Sequence, residues 1–339
     1  MRRGRAAAVL GLGALALVAA LLLSCLLGAQ RISLPAALAG VEPDRSILLG
    51  LRLPRALLGA VVGVGLAAAG TALQALLRNP LAEPFVLGVS GGAALGGTLA
   101  LVAATLLGGL WAPLAALGHA LPVAGGAVVG AAAATVLVFA VGRIGGRLVP
   151  EAALLVGIVF NSFAAAVITV IKVMLPPEQG ARLLYWLMGT IGYEPAGALA
   201  VGAVAVALST GALVALSGRL NLLALGDDEA ASLGVEVPRV RALVLLAASA
   251  ATGAAVALSG IVGFVGLIVP HAVRRILGPD HRILVPAAAL FGGAFLVVAD
   301  AAARVAFLPL GTEPPVGALT AFAGGPLFLW LLRRQERPA

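Results

Sequence analysis

Charge is what this sequence has least of. Asp, Glu, Lys and Arg make up 11% of its 339 residues, where a soluble domain carries about 25%. With 61% of the residues hydrophobic, that shortage excludes both a soluble globular fold and a disordered chain. Lysine occurs once, as Lys172 between Ile171 and Val173. A phosphate-binding loop requires Gly-Lys-Ser/Thr, so the chain has no such site and any ATP must be hydrolysed by a partner. Cysteine also occurs once, as Cys25, which excludes an intrachain disulfide framework. The three histidines, His119, His271 and His281, are scattered without metal-ligand spacing, and no metal or other cofactor is expected.

What is abundant is apolar sequence in helix-length runs. They fall at 6–29, 46–77, 88–107, 121–142, 151–175, 195–217, 240–261, 263–276, 283–307 and 316–332. About 20 apolar residues cross the hydrocarbon core, so these runs predict an all-α, polytopic membrane protein with about ten transmembrane helices. Gly and Pro interrupt the run at 263–276 and the interval 107–121. The N-terminal run follows Met1-Arg2-Arg3-Gly4-Arg5 in the manner of a signal peptide, yet it continues to Leu27 and is followed by more membrane sequence; it reads as the first transmembrane helix. Alternating ten-residue strands are absent, which excludes a barrel.

The basic residues set the orientation. The net charge is +8, from 22 Lys+Arg against 14 Asp+Glu. With the N-terminus inside, the basic residues divide 15 inside to 7 outside, which places both termini in the cytoplasm. A basic excess of this kind is topogenic, and nucleic-acid binding is not expected. Glycines at four-residue spacing (Gly59/Gly63, Gly88/Gly92/Gly96, Gly126/Gly130 and Gly142/Gly146) predict close helix packing. A single permease domain over 1–339 is expected, with one cytoplasmic elbow at 218–241. The two Leu-Gly steps of that elbow, ending at Gly226 and Gly234, predict two short helices, and Asp227, Asp228 and Glu229 suit the N-terminus of the second.

Ionisable groups near the bilayer midplane would point to an ion-driven carrier. The candidates, Lys172, Asp300 and Arg304, all lie near the outer ends of their runs, and Asp300 and Arg304 at i, i+4 can simply pair. A membrane enzyme would need clustered carboxylates or histidines within an apolar run, and the sequence has none.

Several long motifs occur in one order: Arg52-Leu53-Pro54-Arg55, the stretch 74–88 containing Asn79-Pro80-Leu81 and Gly88, the elbow 223–234, Gly263 through Pro270-His271, and the ending 315–334. Together they resemble the FecCD family, the permease subunits of ABC importers for iron-siderophores, haem and cobalamin. The resemblance covers nearly the whole chain from about residue 45. Glu313-Pro314-Pro315 departs from the family's usual Glu-Ile-Pro. The resemblance implies a homodimer in the inner membrane, in contact with membrane lipid, with two ATP-binding cassette subunits below and a substrate-binding protein docked outside. It implies that Arg52, Arg55 and Arg304 accept carboxylates of the binding protein, and guanidinium forks suit that task. It implies that Gly157, Asn161 and Ser162 line the central pathway, with Leu148, Val149, Pro150 and Glu151 at its gate. The Asn161 amide is costly against lipid and faces either a cavity or a hydrogen-bonding partner helix. The matching elbow lies in a cleft of the ATPase. There Gly226 and Gly234 set the breaks, Leu225 and Leu233 supply apolar knobs, Ala230 and Ala231 permit close approach, and Leu223 belongs to the same coupling segment. Ferric siderophore leads as cargo on family frequency, ahead of haem and cobalamin.

Overall fold

The computed structural model describes residues 3–28, 30–106, 120–144 and 147–335. The interval 107–119 with His119, and Gly146 of the Gly142/Gly146 spacing, lie outside the described residues. The architecture is all-α. In chain order the helices are α1 (Arg3–Leu26), α2 (Leu34–Leu38), α3 (Leu53–Leu76), α4 (Val89–Leu106), α5 (Ala120–Val141), α6 (Pro150–Met174) and α7 (Pro177–Leu187). Then follow α8 (Ala196–Leu223), α9 (Asp227–Ser232), α10 (Val237–Ser259), α11 (Val265–Leu277), α12 (His281–Leu310) and α13 (Val316–Gln335). A π-helical turn, Ser46–Arg52, runs directly into α3, and a two-residue antiparallel ribbon, Arg143–Ile144 against Arg147–Leu148, joins α5 to α6. Every apolar run of the sequence corresponds to one helix. Seven described helices are long and apolar enough to cross a membrane, and Val89–Ala103 and Val316–Leu329 are shorter apolar helices. At 13 residues, α11 rises only about 20 Å, which falls short of a full crossing.

Helix α3 is the axis of the bundle. Eighteen of its 24 residues are buried, and a helix apolar on all sides belongs in an interior. It packs against α8, α10, α11 and α12. Helix α6 is the opposite case: of its 25 residues only the stripe Ala153, Gly157, Ala164 and Ile168 is buried, and the rest of its surface is exposed or only partly covered by this chain. Helix α1 packs against α12 and joins the bundle as a full member. The glycine spacings act as expected at α4 and α5, which cross antiparallel. A Cβ on Gly96 would stand 2.1 Å from the Gly126 carbonyl, and one on Gly130 2.1 Å from that of Gly92, so only glycine allows this approach.

Two elements have no counterpart in the sequence reading. Helices α2 and α7 are too short for a hydropathy run, and α7 mixes Glu178, Gln179 and Arg182 with apolar residues. One expectation is corrected. The elbow contains a single short helix, because residues 218–223 continue α8 without a break; Gly218 costs the helix only about 1 kcal/mol. The chain turns at Gly226, with φ +146°, and again at Gly234, with φ +83°.

Candidate functional site

The face opposite the elbow carries a cluster of three arginines. Helix α1 ends with unpaired carbonyls, as every helix does. Arg52, turned inward by the π-helical turn, donates from Nη1 to the carbonyls of Cys25 and Leu26, at 2.9 Å each, and from Nη2 to Gln30. Arg304 of α12 donates to the Leu27 carbonyl at 3.2 Å, to that of Ser24 at 3.1 Å, and to the Ser24 hydroxyl. Both side chains are buried, at 5% exposure. Asp300 lies one turn before Arg304, 3.3 Å from its Nε. Arg55 grips Asp300 through Nε at 3.1 Å and Nη2 at 2.9 Å, and reaches Glu313 through Nη1 at 2.9 Å. A cleft of about 190 Å³ is lined by all three arginines together with Gly28 and Gln30. The structure therefore brings Arg52, Arg55 and Arg304 to one place. In this conformation, however, Arg52 and Arg304 cap α1, and Arg55 alone is partly exposed.

Toward the elbow end of α3, the packing is organised around a proline. Pro270 lies inside α11 and has no N–H to give the carbonyl of Gly266, four residues earlier. Gln74, buried in α3, makes good the loss: its Nε2 donates to Gly266 O at 3.0 Å, while its Oε1 accepts from Arg274 Nη2 at 2.9 Å. Gly70 leaves room, since a Cβ there would be 2.1 Å from the same carbonyl. The start of α11 is held equally specifically. Phe264, with φ +68°, donates its N–H to Oε1 of Glu83, a carboxyl of the loop between α3 and α4. Burial pushes the Glu83 carboxyl up to about 7, against the opposing effect of that hydrogen bond. The loop itself is shaped by Asn79, whose side-chain oxygen accepts from the Leu81 N–H at 2.9 Å beside Pro80. His271 stands half-buried on α11, its Nε2 without a hydrogen-bond partner among the described residues. The sequence reading missed Gln74 and Glu83. The available signal was that Gln74 is the lone amide of a largely apolar helix.

The pathway residues divide. Gly157 is buried against the backbone of Val86 and Leu87, and Ser162 is exposed, its hydroxyl bonded to the Ile158 carbonyl. Asn161 donates from Nδ2 to the Phe85 carbonyl at 2.7 Å, and its Oδ1 is buried against Gly91 without a donor among the described residues. Of the two roles open to that amide, the structure supports the one that ties α6 to the loop 77–88. Leu148 lies in the ribbon paired with Arg143, Val149 donates its N–H to Gly142, and Pro150 and Glu151 open α6 with the acidic group exposed.

At the elbow, Asp227 binds Arg241 Nη2 at 2.7 Å and lies 3.5 Å from Arg78 Nη2, so α9 is tied to the start of α10 and the end of α3. Asn221, Asp280 and His281 link α8 to α12 on the same face. Leu225 and Leu233 project outward at 63% and 58% exposure, and Ala231 and Gly234 are exposed between and beside them. Two assignments need correction. Ala230 and Leu223 are buried in the main core with Leu220 and Val240, so they hold α9 to the bundle and present nothing to a partner.

Residues 16–334 match the FecCD transport family. The chain is 40% identical over 298 residues to the cobalamin import system permease protein BtuC of Halobacterium salinarum, covering 88% of this chain and 76% of that one. It is 41% identical over 292 residues to the hemin transport system permease protein HmuU of Yersinia pestis, covering 86% and 84%. A solved structure, described as an inward-facing conformation of a metal-chelate type ABC transporter, superposes with a TM-score of 0.80 at 31% identity, covering 97% of this chain and 99% of that one.

Proposed function

From the premise that this chain belongs to the FecCD transport family, we propose that it is the membrane-spanning permease of an ATP-driven importer for a metal chelate. It is a multi-pass protein of the plasma (inner) membrane. The observation that carries the reading is the match over 16–334 together with the elbow at the end of the bundle, where two exposed leucines flank a six-residue helix anchored from behind. ATP hydrolysis resides in a separate subunit. Closure of such a subunit moves the pathway only through a rigid element that touches both. Helix α9 suits that role, because Asp227 couples it to Arg241 and Arg78 and its buried Ala230 couples it to α8 and α10. A push on Leu225, Ala231 and Leu233 would therefore displace the ends of α3, α8 and α10 together.

The pathway runs along α6, whose unburied apolar face with Ser162 meets the same face of a second copy in a homodimer. The gate is the turn Leu148 to Glu151. On the other side, the arginine cluster receives a substrate-binding protein, with Arg55 as the accessible fork and Arg52 and Arg304 as the frame that holds it. The two relatives at 40% and 41% identity are named for cobalamin and hemin. Both cargoes are metallated macrocycles, so that class leads here, ahead of the ferric siderophore expected from family frequency alone.

The test is reconstitution of the chain in liposomes with its cognate ATPase and binding protein. The expected result is uptake of haem or cobalamin that requires ATP, both partners and an intact elbow. Uptake that persists without the ATPase and collapses with an ion gradient would overturn the reading in favour of a secondary carrier.

A further inference from the structure

A second groove lies between α5 and α10, at the opposite end of the bundle from the arginine cluster, with its mouth beside the ribbon that leads into α6. It encloses about 360 Å³. Its walls are apolar side chains of two spanning helices, and they open sideways: Val136 is 70% exposed and Leu246 62%, at a depth that in the membrane belongs to acyl chains. The deep end is closed by Thr135 and Ser249, whose hydroxyls bond each other at 2.6 Å and offer nothing further to a ligand. The shallow end is basic. Arg143, just past the end of α5, and Arg241, in the first turns of α10, both line it.

These arginines are not fully spent on the protein. Arg143 is exposed and has no acidic partner among the described residues. Arg241 gives Nη2 to Asp227, and its Nε is buried without an acceptor among the described residues. Asp227 pairs with Arg241 at 2.7 Å, which leaves Arg143 as the uncompensated positive charge among the lining residues. Along α10 the distance from Arg241 to Ser249 is eight residues, roughly 12 Å of helix rise. The groove is thus charged at the level of lipid phosphate and apolar through the adjoining half-leaflet.

We propose that this groove binds one anionic glycerophospholipid of the cytoplasmic leaflet, its phosphate against Arg143 and Arg241 and one acyl chain between α5 and α10. The charge pattern selects the class. A zwitterionic headgroup would bring its own cation against the Arg143 guanidinium, whereas an anionic one meets uncompensated positive charge there, worth about 1 kcal/mol for one arginine. A soluble anion would satisfy the mouth and leave the apolar groove without an occupant.

The test uses the purified full-length chain in detergent micelles, with retained lipid counted by native mass spectrometry. Phosphatidylglycerol and phosphatidylcholine of identical chains are the probes, and inorganic phosphate is the competitor. The expected result is preferential retention of phosphatidylglycerol, weakened about fivefold by Arg143→Gln and also weakened by Ala242→Phe, which fills the groove from an exposed position. Both substitutions are at exposed sites, so folding is not at issue. Equal retention of the two lipids, or retention unchanged in both variants, would overturn the proposal. Displacement by inorganic phosphate would also overturn it, assigning the arginines to a soluble anion. No transport is measured, so the outcome is independent of the importer reading.

Discussion

Gln74 is the residue whose replacement tests the packing argument most directly. Gln74→Met keeps the side chain's length and nearly its volume, and removes both of its hydrogen bonds. The Gly266 carbonyl then lies buried beside Pro270 with no donor, a loss worth about 1–3 kcal/mol. Arg274 loses a charge-assisted acceptor, but it is only partly buried and can rehydrate, so its share is at most about 1 kcal/mol. The expected destabilisation is about 1–4 kcal/mol. The mechanism makes a sharper demand on a second substitution. Pro270→Ala restores an N–H four residues after Gly266, supplying the donor that Gln74 supplied across the helix interface. In the Gln74→Met background it should recover about 1–2 kcal/mol more than it contributes in the wild type, where the carbonyl is already bonded. The assay is unfolding of the four proteins in mixed micelles titrated with denaturing detergent. Equal effects of Pro270→Ala in the two backgrounds would refute the reasoning, whatever the size of the single changes.

The remaining expectations concern Glu83, the arginine cluster and the elbow. Glu83 has its carboxyl raised from about 4.5 to about 7 in the folded protein; the folded state then binds more protons than the unfolded one between those values, and stability falls as pH rises through that window. Glu83→Gln keeps the acceptor for Phe264 and should flatten the profile between pH 5 and pH 8 in thermal unfolding scans; an unchanged slope would show that Glu83 is not the group responsible. Arg304→Met strips the α1 carbonyls and one neighbour of buried Asp300, and should cost about 3–5 kcal/mol, whereas Arg55→Gln should cost less and instead weaken binding-protein affinity in a pull-down titration. Failure of Arg55→Gln to alter that affinity would remove the residue from the docking surface. Ala231→Arg, on the exposed side of α9, should abolish ATPase association with melting unchanged, while Ala230→Arg should lower melting itself; identical behaviour of the two variants would contradict the assigned orientation of the helix.

The class and the ten apolar helices were legible in the residues alone, and the basic residues predict their direction. Scarce charge and ten long apolar runs leave an all-α membrane bundle as the remaining architecture, because in lipid each segment must satisfy its own backbone. The arginine asymmetry orients it, and the order of the motifs identifies its family. The breaks at Gly226 and Gly234 were also legible, since each depends on a local backbone conformation that glycine adopts cheaply.

Which way each side chain faces was decided by tertiary structure alone. In water an amphipathic pattern marks the buried face of a helix, but here lipid and protein core are equally apolar, so nothing in the pattern distinguishes fully buried α3 from largely uncovered α6. For the same reason Ala230 and Ala231, neighbours of one type, carry no sign that the first points inward and the second outward. The polar contacts are long-range: Gln74 meets Gly266 across 192 positions, and Arg55 meets Asp300 across 245. An arginine near the end of an apolar run reads as a surface residue. Only the folded chain shows that Arg52 and Arg304 turn inward, because the carbonyls they satisfy belong to the end of a different helix.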